Sequence, residues 1–309
     1  MTENKKHVLV LMGGWSAERE VSLTSGEACG EALEQAGYQV TYHDLQPNLS
    51  ALINLIEAVK PDVVFNALHG RYGEDGNIQG VLNILNVPYT HSGVKASSTA
   101  MDKPASLELF KSVGIPVAKG NVIPEAHIVS GDWQSKNEIP RPFVVKPACE
   151  GSSVGVYIVG ENEAAPDLSE WTFGDALIEE FVDGKELTVA VMDGKALTVT
   201  ELCPHEGFYS YEAKYTDGKT THICPAEVDS SLADRMKEHA VQAHNVLGCR
   251  GVTRTDFRYN PATDQLIVME INTQPGMTAL SLVPEQANEM GTDFPALVSW
   301  MVEAAACDP

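Results

Sequence analysis

Short apolar runs rich in β-favouring residues alternate with longer helical patterns up to about residue 100. His7 to Met12 is the first such run. It ends in Gly13-Gly14 and is followed by a helical stretch from about Ser16 to Ala36, closed by Gly37. A strand at Tyr38 to Asp44, a helix around Leu49 to Lys60, a strand at Asp62 to Leu68 and a helix near Ile78 to Asn86 continue the series. This alternation predicts an open parallel sheet. Ligands of such sheets gather at the carboxyl ends of the strands, where loops meet helix N-termini, and Gly13-Gly14 and His69-Gly70 lie at two of those ends.

The texture then changes. A helix around Met101 to Val117 leads through a Gly-Ile-Pro turn to strands near Phe143 to Lys146, Val154 to Val159 and Ala176 to Phe181. From Leu187 strands dominate, at Leu187 to Met192 and Ala196 to Leu202. The polar, Tyr-rich stretch from Glu206 to Thr221 reads as a long loop, a length usually functional or disordered. A helix from about Ser230 to Leu247, strands at Val252 to Tyr259 and Gln265 to Ile271, and one final helix complete the chain. The expected fold is α/β followed by α+β, in lobes spanning 1–100, 101–186 and 187–309, with no internal repeat.

Composition sharpens this mainly by exclusion. A chain of 309 residues favours two or three packed lobes, and 43% hydrophobic with 21% charged residues is an ordinary globular balance. The net charge of -22, from 43 acidic and 21 basic residues, repels phosphate backbones and anionic lipid. Nucleic acid and membrane are therefore not expected partners, and any anionic substrate must be held by a few local cations. The six cysteines (Cys29, Cys149, Cys203, Cys224, Cys249 and Cys307) include no C-x-x-C pair, so reduced thiols are expected rather than zinc or a redox couple. Met1 to Lys6 is polar without a signal pattern, and no apolar run approaches the roughly 18 residues of a membrane span. A cytoplasmic location is the resulting expectation.

The strongest chemical constellation is Arg254-Thr-Asp256 on one strand and Glu270-Ile-Asn272 on the next, joined by a turn through Asn260 to Asp264. Residues two apart on a strand share a face, so strand pairing can unite Arg254, Asp256, Glu270 and Asn272. Two carboxylates and an amide make a hard-oxygen magnesium site; an exposed cross-strand ion pair is the alternative. The Thr273-Gln-Pro-Gly-Met-Thr278 turn that follows offers backbone N-H groups nearby, suited to a developing oxyanion. Lys146 at a strand end and the Glu150-Gly-Ser-Ser-Val-Gly155 loop can lie over phosphates, although a flexible hairpin with a solvated lysine has the same sequence, and no Walker or dinucleotide glycine motif is present. Glu18 lies in the first turn after Gly13-Gly14, where a carboxylate also serves the helix dipole. His69 is a single histidine without a visible partner in sequence.

Taken together these segments resemble the D-alanine:D-alanine ligase family of the larger ATP-grasp group, through nearly the whole chain. The residues carrying the likeness are Gly13-Gly-Trp-Ser-Ala-Glu-Arg-Glu-Val-Ser22, Ala67-Leu-His-Gly70 with Gly73-Glu-Asp-Gly76, Met101-Asp-Lys103 and Glu150 to Gly155. Tyr211-Glu-Ala-Lys-Tyr215, Arg254 to Asp256, and Glu270 to Thr278 followed by Ser281-Leu282 complete the set. The resemblance implies a Rossmann-like first lobe for the first substrate, a central ATP-grasp lobe for nucleotide, and a C-terminal ATP-grasp lobe for metal and catalysis. It implies ATP-dependent joining of two D-alanines through an acyl phosphate, for peptidoglycan synthesis, with magnesium or manganese, and a homodimer as the family's frequent assembly.

Carried over by position, the resemblance assigns the metal to Asp256, Glu270 and Asn272, and nucleotide phosphates to Lys103 and Lys146. Adenine and ribose fall to Glu179, Glu180, Phe181, Val182 and Glu186. Lys214 would approach the transferred phosphoryl group, Glu18 the first alanine's ammonium, and His69 its carboxylate. Arg254 and the Gly276 backbone would face the tetrahedral oxyanion, and Ser281 and Leu282 the second carboxylate. Glu18, Ser152 and Tyr215 resemble the family's hydrogen-bonded set that closes the Tyr-rich loop, and a neutral phenol at 215 favours D-alanine over D-lactate. The chain departs from the family pattern at Trp15, at Glu180 where lysine is usual, at Gln274 where serine is common, and at Leu280.

Overall fold

The computed structural model describes residues 6–205, 216, 218–278 and 280–308. In β1 (His7–Gly13) the apolar run from Val8 to Leu11 is wholly buried, because both faces of the strand are covered. Val8 and Val10 pack with Cys29 and Leu33 of α1 (Arg19–Gln35). Leu9 and Leu11 pack with Leu52 and Ile56 of α2 (Leu49–Val59) and Leu82 of α3 (Asn77–Ile84). Side-chain alternation thus feeds two cores from one strand. β2 (Gln39–Leu45) and β3 (Val63–Asn66) pair with β1 in parallel, in the order β2-β1-β3. α1 begins at Arg19 rather than Ser16, since the Ser16 hydroxyl instead donates to the His69 carbonyl at 2.7 Å and holds a turn.

The chain then passes through α4 (Val94–Met101) and α5 (Lys103–Ser112). Asp102 caps α5, accepting from the Ala105 N-H at 3.0 Å, with Pro104 in the first turn. A four-stranded antiparallel sheet follows, built from β4 (Gly120–Ile123), β5 (Phe143–Pro147), β6 (Tyr157–Val159) and β7 (Ala176–Glu180) in the order β4-β7-β5-β6. Short helices α6 (Glu125–Val129) and α7 (Trp133–Lys136) bring Ile128 and Trp133 onto Phe143, Val145 and Ile178. β4, α6 and α7 are too short for a hydrophobic period to reveal. β6 starts later than its apolar pattern suggests, because Ser152, Ser153 and Gly155 take positive φ values of 50, 59 and 68° and bend the chain into a loop.

The second antiparallel sheet has the order β10-β9-β8-β11-β12. Its strands are β8 (Lys185–Met192), β9 (Lys195–Pro204), β10 (Thr220–Ile223), β11 (Val252–Asn260) and β12 (Gln265–Asn272). Thr220 and Thr221, read above as loop, belong to β10. α8 (Ser230–Leu247) starts at a capping Asp229 and stops at left-handed Gly248. It covers one face of the sheet together with α5, burying Leu107, Phe110, Met236 and Ala240 against Leu187, Val189, Phe257 and Val268.

Two helices, not one, close the chain: α9 (Leu282–Glu289) and α10 (Phe294–Glu303). The break follows from Gly291 at φ +86° and from Asp293, which caps α10 by accepting from the Ala296 N-H at 2.9 Å. α10 returns to the first sheet, where Leu297, Val298 and Met301 join Val8, Val10 and Leu33 in one core. Among the described residues no helix is long and apolar enough to cross a membrane.

His91 is buried at this joint, edge-on to Phe65, and burial pushes its pKa down to about 3. The imidazole is neutral in the folded chain, while the unfolded chain takes up its proton near the ordinary value of 6.5. Its contribution is therefore intact above 6.5 and is lost as pH falls from there toward about 3. Urea midpoints measured across that window should fall more steeply for the native chain than for His91→Leu.

Candidate active site

Three segments of chain meet at the carboxyl ends of β1 and β3. The turn after β1 contributes Glu18, the segment after β3 contributes His69 and Glu74, and the facing wall is the β11-β12 pair. That pair is antiparallel, with Arg254 opposite Asn272 and Asp256 opposite Glu270. The loop from Glu150 to Gly155 comes from the central sheet to cover the gap. Its Ser152 hydroxyl donates to Glu18 Oε1, tying the loop to the first lobe. Gly70 has φ +64°, and a Cβ there would lie 2.9 Å from Glu18 Oε2, so glycine leaves this carboxylate its room.

Two cavities result. The first is an open cleft lined by Glu18, His69, Glu74, Ser152, Arg254, Asn272, Gly276, Ser281 and Leu282 among others. The second lies between the two antiparallel sheets, with Lys146, Glu179, Glu180, Phe181, Val182, Glu186 and Asp256 in its walls. Lys103, Glu150, Gly151 and Glu270 line both, so the cavities share one wall. The second cavity has an apolar floor, where Ala118, Val182 and Ile267 pack with Met269. A flat apolar ring system suits such a floor, and the lysines suit the phosphates that would follow it.

Charge in the first cavity is mostly negative. Burial, then the neighbouring Glu18 and Glu270 charges, hold the Glu74 carboxyl well above the usual carboxylate range. Burial lowers His69 despite the opposing Glu18 charge, so its ring is neutral near pH 7. That ring meets the Ser25 hydroxyl at 3.3 Å through Nε2 and also bonds the Gln274 main chain. A chamber with excess carboxylate favours a small ligand carrying an ammonium group.

Arg254 forks onto Asp256 with bonds of 2.8 and 2.7 Å, and the Thr188 hydroxyl donates to the same carboxylate at 2.7 Å. The side chains of Arg254 and Asp256 are only 13 and 10% exposed, so this face is no solvated surface. Lys103 donates to the Glu150 carbonyl and stands 3.5 Å from Glu270. Asn272 Oδ1 accepts from the Gln274 N-H at 2.8 Å. No group of three or more His, Cys, Asp or Glu able to hold a metal occurs among the described residues. The oxygen donors at Asp256, Glu270 and Asn272 nevertheless fit a hard divalent cation that takes its remaining ligands from phosphate and water.

At the far end, Ser281 stands just before α9, and its Oγ turns back to accept from the Thr278 N-H at 2.9 Å. A Cβ on Gly276 would lie 2.9 Å from that oxygen, so the Pro-Gly turn and the helix start are in close contact. Glu180 is half-buried at the end of β7, its N-H donating to the Lys119 carbonyl at 2.8 Å. Lys214 and Tyr215 lie outside the described residues.

Four residues of this site escaped the sequence reading. Glu74 was visible only inside its Gly-Glu-Asp-Gly motif, and Glu150 only as the first residue of its loop. Arg258 stacks over Phe181, with its guanidinium carbon 5.5 Å from the ring centre, and lies 3.8 Å from Glu186. Extending the strand period from Arg254 and Asp256 would have found it. Thr188 had no local signal, because only the pairing of β8 with β11 sets it opposite Asp256.

Comparison with known proteins agrees along the chain. The family models described as D-ala D-ala ligase C-terminus and N-terminus match residues 109–303 and 50–92. A D-alanine–D-alanine ligase of Paramagnetospirillum magneticum is 54% identical, covering 98% of this chain and 99% of its own length. One from Acidiphilium cryptum is 52% identical over the same shares. Among solved structures, the Bacillus anthracis D-alanine–D-alanine ligase complexed with ATP is 30% identical, with a TM-score of 0.81 and coverage of 98 and 97% of the two chains. The VanG D-Ala:D-Ser ligase of Enterococcus faecalis is 26% identical, with a TM-score of 0.80 and coverage of 97 and 99%.

Lys146 and Glu179 form an ion pair at 2.5 Å with side chains only 11 and 9% exposed. Lys146→Met should leave a buried carboxylate without its partner and cost about 3–5 kcal/mol. Urea unfolding at pH 7 checks this, and Lys146→Met combined with Glu179→Leu should recover much of the loss.

Proposed function

The chain belongs to the D-alanine–D-alanine ligase family, and from that premise we propose how its own residues join two D-alanines at the expense of ATP. The enzyme is an ATP-dependent ligase whose product, D-alanyl-D-alanine, serves peptidoglycan synthesis. The observation that carries the site reading is the wall shared by the two cavities. Lys103 and Glu270 stand where a nucleotide lying in the second cavity would present its terminal phosphate to a small substrate in the first.

In this reading Phe181, Val182 and Glu179 to Glu180 border the adenine, and Glu186 receives the ribose hydroxyls. Lys103 and Lys146 neutralise phosphate charge. Asp256, Glu270 and Asn272 would hold magnesium, or manganese in its place, which when bound offsets the charge of the transferring phosphoryl group. The three-lobe division into 1–100, 101–186 and 187–309 assigns these tasks to first substrate, nucleotide and catalysis in turn. A homodimer in the cytoplasm is the expected form.

The first D-alanine enters with its ammonium toward Glu18 and Glu74 and its carboxylate near His69. A carboxylate oxygen attacks the γ-phosphorus, the bond to the bridging oxygen breaks, and ADP leaves. The unprotonated amine of the second D-alanine, anchored at Ser281 and Leu282, then attacks the acyl carbon. Negative charge gathers on the former carbonyl oxygen, where Arg254 and the Gly276 N-H stabilise it, and the tetrahedral intermediate collapses as the surplus proton on nitrogen passes to the departing phosphate. The Ser152-Glu18 bond holds the covering loop closed, keeping water from the acyl phosphate.

Purified protein with magnesium and ATP should release ADP and phosphate only when D-alanine is present, with D-alanyl-D-alanine identified by mass. L-alanine should give no product, and D-lactate should not be incorporated as second substrate. Glu270→Gln should lower turnover about 100-fold or more; an unchanged rate removes Glu270 from the phosphoryl site.

Arrival of the substrate ammonium beside Glu74 should also favour its charged form and lower its raised pKa. D-alanine binding should therefore release protons in the pH range where that carboxyl still holds one. Calorimetry in two buffers of different ionisation enthalpy measures this, and Glu74→Gln should abolish most of the release.

A further inference from the structure

Behind the first cavity lies a buried polar joint that the reaction scheme does not use. Gln274 is 1% exposed, Asn66 is 0%, and the two are far apart in the chain. Asn66 Nδ2 donates to Gln274 Oε1 at 2.7 Å and to the Gly73 carbonyl at 2.9 Å, while its Oδ1 accepts from the Leu68 N-H at 3.3 Å. Gln274 Nε2 in turn donates to the Leu68 carbonyl. Leu68 is thus gripped at both its N-H and its C=O by one buried amide pair, immediately before His69. Gly73, held by the same Asn66, immediately precedes Glu74. Gly73 cannot carry a side chain, since a Cβ would lie 2.4 Å from that of Leu68.

The other end of the joint reaches the phosphoryl side. The Gln274 N-H donates to Asn272 Oδ1 at 2.8 Å, and the Gln274 main chain receives a hydrogen bond from the His69 ring. Two residues further on, Gly276 supplies the proposed oxyanion N-H. One residue therefore touches, through its side chain and both of its peptide groups, the strand end that carries the first-substrate groups and the turn that carries the catalytic ones. Every side-chain polar group of the pair is satisfied, and buried networks of this kind hold a single arrangement because any shift leaves an amide unpaired. Serine, common at this position in the family, has one short hydroxyl and cannot span Asn66 and Leu68 together.

We infer that Gln274, paired with Asn66, is a positioning residue that registers the first-substrate pocket against Asn272 and Gly276. It sets how well the first D-alanine is held relative to the transferring phosphoryl group without touching substrate itself. This rests on the assignment of His69 and Glu74 to the first substrate.

The test is steady-state kinetics on Gln274→Met, which keeps volume and removes the polar contacts, and on Asn66→Ala, with thermal unfolding recorded for each. Native enzyme must first make D-alanyl-D-alanine; if it does not, the functional assignment itself fails. Given that activity, the half-saturation constant for the first D-alanine should rise about 10-fold or more in either variant, with that for ATP changed less than about 2-fold. The double variant should be no worse than the more damaged single one, since both break the same joint. An unchanged first-substrate constant with only a lowered Tm would overturn the inference and leave Gln274 a packing residue. Equal rises for ATP and D-alanine would overturn it as well. If Gln274→Met does not fold, Gln274→Ser provides the same readout.

Discussion

A strand buried on both faces needs two covers, and β1 receives its covers from distant parts of the chain. Leu9 and Leu11 are met locally by α2 and α3, but Val8 and Val10 need α1 and the returning α10. The apolar transfer of Leu297, Val298 and Met301 onto that face draws the C-terminal segment against the first lobe. The turn from Thr273 to Thr278 is carried with it, which is how the Pro-Gly backbone and the start of α9 come to face Glu18 and His69. Hydrophobic closure of one sheet thus assembles a polar site.

That assembly runs against charge. A chain with net charge -22 brings Glu18, Glu74 and Glu270 to one cavity, where burial first and then the Glu18 and Glu270 charges raise the Glu74 carboxyl. Lys103 beside Glu270 and Arg254 temper it in that cavity, while Lys146 pairs with Glu179 in the neighbouring one. The remaining excess of negative charge suits ligands that bring positive charge, an amino acid's ammonium on one side and a divalent cation with its nucleotide on the other. Preorganised charge is an effective way to stabilise phosphoryl transfer, because little reorganisation is left to the reaction step.

Rigidity is uneven around this centre. The joint of Asn66 with Gln274 is fully buried and satisfied, and α9 is braced by Gln286, whose amide accepts from the Ala190 N-H at 2.8 Å and donates to Thr188 and Thr200. The covering loop from Glu150 to Gly155 is held across the cleft by the Ser152-Glu18 bond and by Lys103 on the Glu150 carbonyl. A firm base with a loop fastened by a few polar contacts is the division expected of a site that must open to admit nucleotide and close against water.

Much of this was legible in the residues themselves. The alternation of short apolar runs with amphipathic stretches marks the parallel lobe, and the two-residue spacing of Arg254 with Asp256 and of Glu270 with Asn272 marks one shared strand face, because backbone periodicity is local. Long motifs in order identified the family for the same reason: each is a contiguous turn or strand end. What contiguity cannot show is pairing in space. The partnership of Thr188 with Asp256, the cover of β1 by α10, and the grip of Gln274 on Asn66 and Leu68 each join residues far apart in the chain. Such contacts depend on the register of β8 against β11 and on the packing of one lobe against another, which only the folded chain decides.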